Sequence, residues 1–317
     1  MSHPARIALT LITVLAVCTP AAAQQGRMKV VLDTDIGTDI DDAWALGYAL
    51  KSPSFELLGV TVTDADTPKR ARLACKLLQR LGRTDIPVAV GRQTPAVPVD
   101  RIDYQFTWAE DFETYKPIAT PAVEFLADII RRNPNEITLI AVGPLQNIGD
   151  LARLHPDVIR LVKRVVLMSG SIGANAWSSA PIAEWNVRSA IPEAQAVYAA
   201  GWPVTIVPLD STTYVQLQDS ERDALRKAAT PLTVALEALL RLWTDRPASR
   251  MMLHDQMALA ETQHPARFFG RCEPMPLRVD KEGFTRVDPA GGRPITVCLE
   301  PKRNEFMAHF LGQLSAK

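Results

Sequence analysis

Cysteine is scarce, charge of one sign is never in surplus, and no long hydrophobic run follows the N-terminal segment. The 317 residues hold 4 cysteines, too few to staple a chain of this size, so a packed core must hold it together. Lys plus Arg total 35 and Asp plus Glu total 35, so the formal net charge is zero. Nucleic-acid binding and attachment to anionic lipid both draw on a basic surplus, and this balance argues against both. The 24 prolines and 16 glycines are scattered without a repeat period or a low-complexity tract, which leaves no basis for a solenoid or a disordered chain. What is present is apolar material: 47% of the residues are hydrophobic and 22% charged, ordinary for a globular protein.

The first residues read as an address. Arg6 precedes IALTLITVLAVC, twelve residues without a charge, and TPAAAQQG then places Ala21 and Ala23 in an A-x-A pattern. This predicts a secretory signal peptide over 1–23 and a mature domain over 24–317. The alternative is a retained N-terminal anchor, although the run is short for a bilayer. Val17 is bulky where a lipoprotein signal wants a small residue before Cys18. No later segment reaches 18 apolar residues, so the sequence predicts an exported, periplasmic or extracellular protein with no membrane contact after cleavage. Cys75 lies in an amphipathic helical stretch and reads as a buried thiol, whereas Cys272 and Cys298 could pair in an oxidising compartment.

Alternating patterns predict one α/β domain. Short apolar runs at 29–33, 55–63, 86–91, 137–143, 164–170 and 203–210 read as buried strands. Helical spacing appears at 41–52, 68–82, 121–132, 156–162, 190–200 and 219–245, and 277–298 reads as short strands. The fold class is therefore an open, mostly parallel sheet with helices on both faces, without a linker to a second domain. Ligands of such sheets bind outside the carboxyl ends of the strands, and polar residues collect after Leu32, Thr63, Val142, Ser169 and Leu209. The irregular stretches 91–118 and 170–183 are candidates for a lid or a specificity loop.

The strongest signal is DTDIGTDIDD, which puts Asp33, Asp35, Asp39, Asp41 and Asp42 within ten residues where a strand meets a helix. Unneutralised, these carboxylates would repel one another or take up protons. Capping by Thr38 or Asp39 explains one or two of them. It does not explain Asp33 and Asp35 at the end of an apolar strand, where a hard divalent cation with oxygen ligands would. The order of residues is not that of an EF-hand loop.

The string VVLDTDIGTDIDDAWAL resembles the N-terminal signature of the inosine-uridine-preferring nucleoside hydrolases. The resemblance continues through ELLGVTVTDAD, LIAVGPLQNI, VVLMSGS followed by AEWNV, and LHDQMALA, covering nearly all of the mature chain. It implies a Rossmann-like nucleoside hydrolase fold and calcium-dependent cleavage of ribonucleosides to base and ribose. It implies Ca2+ ligation by Asp35, Asp42, the Val142 backbone oxygen and Asp255, with Asp35 also the general base on a metal-bound water. It places Asp41, Asp66, Asn175, Glu184, Asn186 and Asp255 around the substrate, with Asp33 as a supporting acid. It also implies a homo-oligomer, a dimer or tetramer.

The chemistry fits these residue types, because an oxocarbenium-like sugar is stabilised by carboxylates and a metal can fix hydroxyls and a water. His254 is the candidate acid for the leaving base; the other reading is a buried histidine that orients Asp255. Trp108, Trp177 and Trp185 are candidates for stacking on a base or for packing, and Asn147 reads as a helix cap. The region after Gly91 lacks the histidine-rich stretch of some family members, so base recognition must differ there. Two other classes are carried forward: an exported nucleoside- or sugar-binding protein without turnover, and a domain that uses calcium only for stability.

Overall fold

The computed structural model describes residues 26–95, 104–244 and 250–316. The signal peptide expected over 1–23, and part of the 91–118 loop, lie outside the described residues. The strands are β1 (Met28–Thr34), β2 (Phe55–Val62), β3 (Val88–Val90), β4 (Thr138–Ala141), β5 (Arg164–Met168), β6 (Val204–Val207), β7 (Phe269–Val279), β8 (Thr285–Val287) and β9 (Arg293–Pro301). The helices are α1 (Asp41–Lys51), α2 (Thr67–Arg80), α3 (Tyr104–Thr107), α4 (Ala122–Arg132), α5 (Gln146–Leu154), α6 (Trp185–Arg188), α7 (Ile191–Ala199), α8 (Leu209–Thr212), α9 (Asp219–Ala228), α10 (Pro231–Thr244), α11 (His254–Gln263) and α12 (Arg303–Ser315).

Among the described residues the strands form one sheet in the order β3-β2-β1-β4-β5-β6-β9-β7-β8. Pairing is parallel from β3 to β9, and β7 runs antiparallel to both β9 and β8. The expected open, mostly parallel sheet is thus observed. Alternation within β1 shows how both faces are covered. Val30 and Leu32 pack with α1, α2, α11 and α12, while Val31 packs on the opposite face with α4, α5 and α7. No helix among the described residues is long and apolar enough to cross a membrane.

Two local expectations differ from what is found, and one open pairing is settled. Residues 156–161 form a 3-10 turn rather than an α-helix, opened by Pro156 with a Val158 N–H bond to the His155 carbonyl (3.1 Å) and closed by a Val162 N–H bond to the Val158 carbonyl (3.2 Å). Strand β7 starts at Phe269, eight residues before the expected strand region, because Pro274 and Pro276 disguise it. Cys272 and Cys298 face each other across β7 and β9 with Cα atoms 4.1 Å apart, and they are joined in a disulfide. Cys75 is buried and free, as expected, and burial pushes its thiol up to about 12.

The sheet order reverses direction at β1, whose neighbours are β2 on one side and β4 on the other. That arrangement opens a crevice at the carboxyl ends of β1 and β4. Asp35 follows one strand and Val142 the other.

Candidate active site

A cavity of about 500 Å³ lies at this crevice. Its floor is Asp35, Asp41, Asp42 and Asp255, and its walls include Val142, Met168, Trp177, Glu184, Trp185, Asn186 and His254. Segments distant in sequence meet here because each follows the carboxyl end of a strand or opens a helix.

The acidic loop is held from behind by a buried cation. Arg70 of α2 is 1% exposed. Its guanidinium donates to the Asp35 carbonyl, to the Ile36 carbonyl at 3.2 Å and to Thr38 Oγ1 at 3.3 Å. It also lies 3.3 Å from the Asp64 carboxylate and 3.9 Å from that of Asp35. Sequence reading missed Arg70, although it falls on the apolar stripe of α2 with Leu73, Ala74 and Leu77. A basic residue on a buried stripe requires an acidic partner, which was the available signal. Gly143 is equally constrained: a Cβ there would come within 2.7 Å of the Asp35 backbone nitrogen and 2.9 Å of its carboxylate.

Asp33 faces away from the cavity. Its carboxylate accepts from Thr61 and, at 2.7 Å, from Asn147 Nδ2. Burial pushes Asp33 up to about 7, against the opposing pull of these two donors. Asn147 therefore supports Asp33 from within α5 and caps nothing; the residue before α5 is Leu145, without a side-chain cap. Neither Thr38 nor Asp39 is the cap of α1, because that position is taken by Ile40.

Asp41, Asp42 and Asp255 bring carboxylate oxygens within 4.8 Å of one another, all buried. The sequence grouped Asp35 with Asp42 and Asp255; the tight triad has Asp41 in that place, with Asp35 lining the same cavity. Asp42 is fixed by Thr34 Oγ1 and by the Asp35 N–H at 3.2 Å. The Asp41 carbonyl accepts from Gln256 at 2.7 Å, which ties α1 to α11. Burial, then mutual repulsion, raises all three carboxyls well above the usual range. The buried Asp255 Oδ2 has no hydrogen-bond partner. Three buried carboxylates with converging oxygens, one of them without a hydrogen-bond partner, could hold a hard divalent cation.

The wall residues divide. Asn186 Nδ2 donates to the Val142 carbonyl at 2.7 Å and to the Met168 carbonyl at 3.1 Å. Glu184 accepts from the backbone of Asn186 (2.7 Å), Gly170 (3.0 Å) and Val187 (3.2 Å), capping α6; burial raises its pKa. His254 opens α11 with Nδ1 2.7 Å from Thr212 Oγ1, and its hydrogen bond goes there and not to Asp255. Burial pushes His254 down to about 4. Trp177 is 57% exposed at the mouth and meets the His254 ring edge-on at 5.4 Å. Trp108 instead packs beneath Lys76.

Two expected substrate residues lie elsewhere. Asp66 caps α2, accepting from Lys69 N at 3.2 Å, and it does not line the cavity. Asn175 holds its own loop, accepting from Trp177 N (2.9 Å) and Ser178 N (3.1 Å).

Comparison with known proteins places this arrangement in a class. Residues 30–308 match the model of the inosine-uridine preferring nucleoside hydrolases. The pyrimidine-specific ribonucleoside hydrolase RihA of Enterobacter sp. (strain 638) is 31% identical over 256 residues, covering 76% of this chain and 80% of that protein. Among solved structures, a plant nucleoside hydrolase, PpNRh1, shares the fold with a TM-score of 0.80 and 24% identity, covering 92% of this chain and 99% of that one. A purine-preferring ribonucleoside hydrolase from Gardnerella vaginalis does so with a TM-score of 0.77 and 23% identity, over 90% and 98% of the two chains. The chain belongs to the inosine-uridine preferring nucleoside hydrolase family. It is thus a hydrolase of N-glycosyl bonds in ribonucleosides.

Proposed function

We propose that this protein is an exported, calcium-dependent hydrolase that opens the N-glycosidic bond of ribonucleosides, releasing free base and ribose. The observation that carries the reading is the orphaned Asp255 Oδ2 within a buried carboxylate triad on the cavity floor. Asp35, Asp42, Asp255 and the Val142 carbonyl would hold the ion, with Asp41 beside them. When bound, calcium supplies a hard Lewis acid that fixes sugar hydroxyls and a water and lowers the pKa of that water.

The protein's own residues do the rest. Asp35 takes the proton of the attacking water as the anomeric carbon loses its base. Arg70 and Gly143 keep Asp35 in one place, through the main chain and through close packing. The carboxylates lower the energy of the cationic sugar as the bond breaks. Asn186 spends its amide hydrogens on Val142 and Met168, which leaves Oδ1 to accept from a sugar hydroxyl. Thr212 anchors one nitrogen of His254, leaving Nε2 for the departing base, with Trp177 as an apolar cover. Export agrees with the A-x-A pattern after the apolar N-terminal run and with the Cys272–Cys298 disulfide, a bond that persists in oxidising compartments.

The test is release of reducing sugar from uridine, cytidine, inosine and adenosine by the mature protein. Turnover that a chelator abolishes and calcium restores is expected, with uridine first to be tried because RihA relatives are pyrimidine-specific. Absence of sugar release from every nucleoside, with calcium present, would refute the proposal.

A further inference from the structure

The rim of the cavity carries a cation that the hydrolytic step does not use. Arg188 closes α6 and lines the cavity beside Trp185. Its guanidinium lies 5.0 Å from the centre of the Trp185 ring. It is exposed, and among the described residues no carboxylate or hydrogen-bond acceptor holds it. Other arginines of this chain are engaged: Arg92 bridges Asp150 and Glu193, Arg164 pairs with Glu261, and Arg303 pairs with Glu221.

The backbone that carries Arg188 is fixed from two sides. The Glu184 carboxylate caps α6 through the Asn186 and Val187 backbone. Behind it, Gly283 sits in the turn between β7 and β8 with φ of +82°, so close that an added Cβ would lie 3.0 Å from the Arg188 Cα. The Trp185 ring supplies a flat support that keeps the charge at the rim. A planar, pre-oriented fork of donors of this kind matches a carboxylate or phosphate.

We propose that Arg188, supported by Trp185, is a specificity-determining residue that receives a negatively charged substituent of the substrate, so that this site takes anionic N-ribosides. The inference rests on the nucleoside-hydrolase reading above. With the sugar diol on the carboxylate floor, two arms of an N-riboside leave the ring: the base on C1′ and the exocyclic C5′ group. The lining includes two aromatic pairs, Trp177 with His254 and Trp185 with Arg188. A phosphate on C5′ and a carboxylate on the base present the same chemistry to the guanidinium. The buried charge of Arg70 and the cation that the triad fits both reduce the repulsion such an anion meets from the floor.

The experiment compares kcat/KM for uridine, uridine 5′-monophosphate and orotidine in the wild type, Arg188→Gln and Arg188→Lys, with calcium. In Arg188→Gln the ratio of anionic to neutral substrate falls by about 10- to 100-fold in the arm whose anion meets Arg188, as expected for loss of a charge-assisted hydrogen bond. Arg188→Lys recovers part of the ratio, and KM carries most of the change. Raising the ionic strength lowers the ratio in the wild type more than in Arg188→Gln. Ratios within twofold of wild type in both arms overturn the inference while leaving the hydrolase reading intact. If the wild type cleaves none of the three, or uridine alone, calorimetric titration with ribose 5-phosphate and with orotate decides the role of Arg188, and the hydrolase reading is decided separately by the wider set of nucleosides. Binding of either that weakens in Arg188→Gln supports the inference; equal binding by both proteins overturns it.

Discussion

Asp255→Asn removes one charge from the triad and keeps the shape of the side chain. Carboxylate oxygens of Asp41, Asp42 and Asp255 lie within 4.8 Å of one another. At an effective dielectric of about 20, two full charges at that spacing repel by about 3.5 kcal/mol. The raised pKa values show that shared protons already relieve part of this. The gain left for the metal-free variant is about 1–3 kcal/mol, or a rise in Tm of about 2–4 °C per kcal/mol. Calcium at about 100 times its Kd adds about 2.7 kcal/mol to the wild type, and Asp255→Asn should lose most of that addition. The two proteins therefore respond differently: the variant melts higher in chelator, and the wild type gains the larger increment with calcium. Thermal melts at pH 7.5 with EGTA and with excess calcium measure both. A variant that melts lower in EGTA yet shows the full calcium increment would falsify the assignment of this triad to a metal.

The same carboxyls predict a pH dependence. Their pKa values are raised in the metal-free fold, so protons stabilise it, and that contribution fades as pH climbs from the unfolded value near 3.8 through the raised ones. Calcium needs the charged forms, so its Kd falls as pH rises over the same window, and the calcium-induced rise in Tm is larger at pH 7.5 than at pH 5.5. Asp35→Ala should abolish turnover, by about a thousandfold or more, with an unchanged circular dichroism spectrum; full activity would sink the role given to Asp35. Gly143→Ala should lower kcat by at least about tenfold through displacement of Asp35, read against uridine at saturation. Thiol titration of unfolded residues 24–317 without reductant should find Cys75 alone, and Cys272→Ser with Cys298→Ser should cost about 3 kcal/mol in chemical denaturation, given a sequence separation of 26 residues.

The parallel half of the sheet was legible because its strands are short, buried on both faces and end in polar residues, which only a parallel α/β sheet requires. Strand β7 was not, because Pro274 and Pro276 interrupt the ladder pattern that sequence reading depends on. The acidic loop announced itself through charge density. What holds it did not: Arg70 reads as one more base in KRARLACKLLQR until its place on the apolar stripe is noticed. Asn147 looked like a cap because it lies near a helix start, and only the third dimension brings Asp33 to its amide. Asp66 and Asn175 show the reverse limit. Each has a side chain suited to a sugar, and each is occupied with the turn of its own segment.

The floor and most of one side of the cavity have separate origins in the chain. The aspartates descend from β1, α1 and α11, elements locked together by Arg70 and Gln256. Trp177, Glu184, Trp185, Asn186 and Arg188 all belong to a single excursion between β5 and α7. Transplanting that one excursion between relatives should therefore exchange substrate range like an interchangeable tool head, provided its asparagine at the Val142 carbonyl is kept, with the aspartates beneath it unchanged.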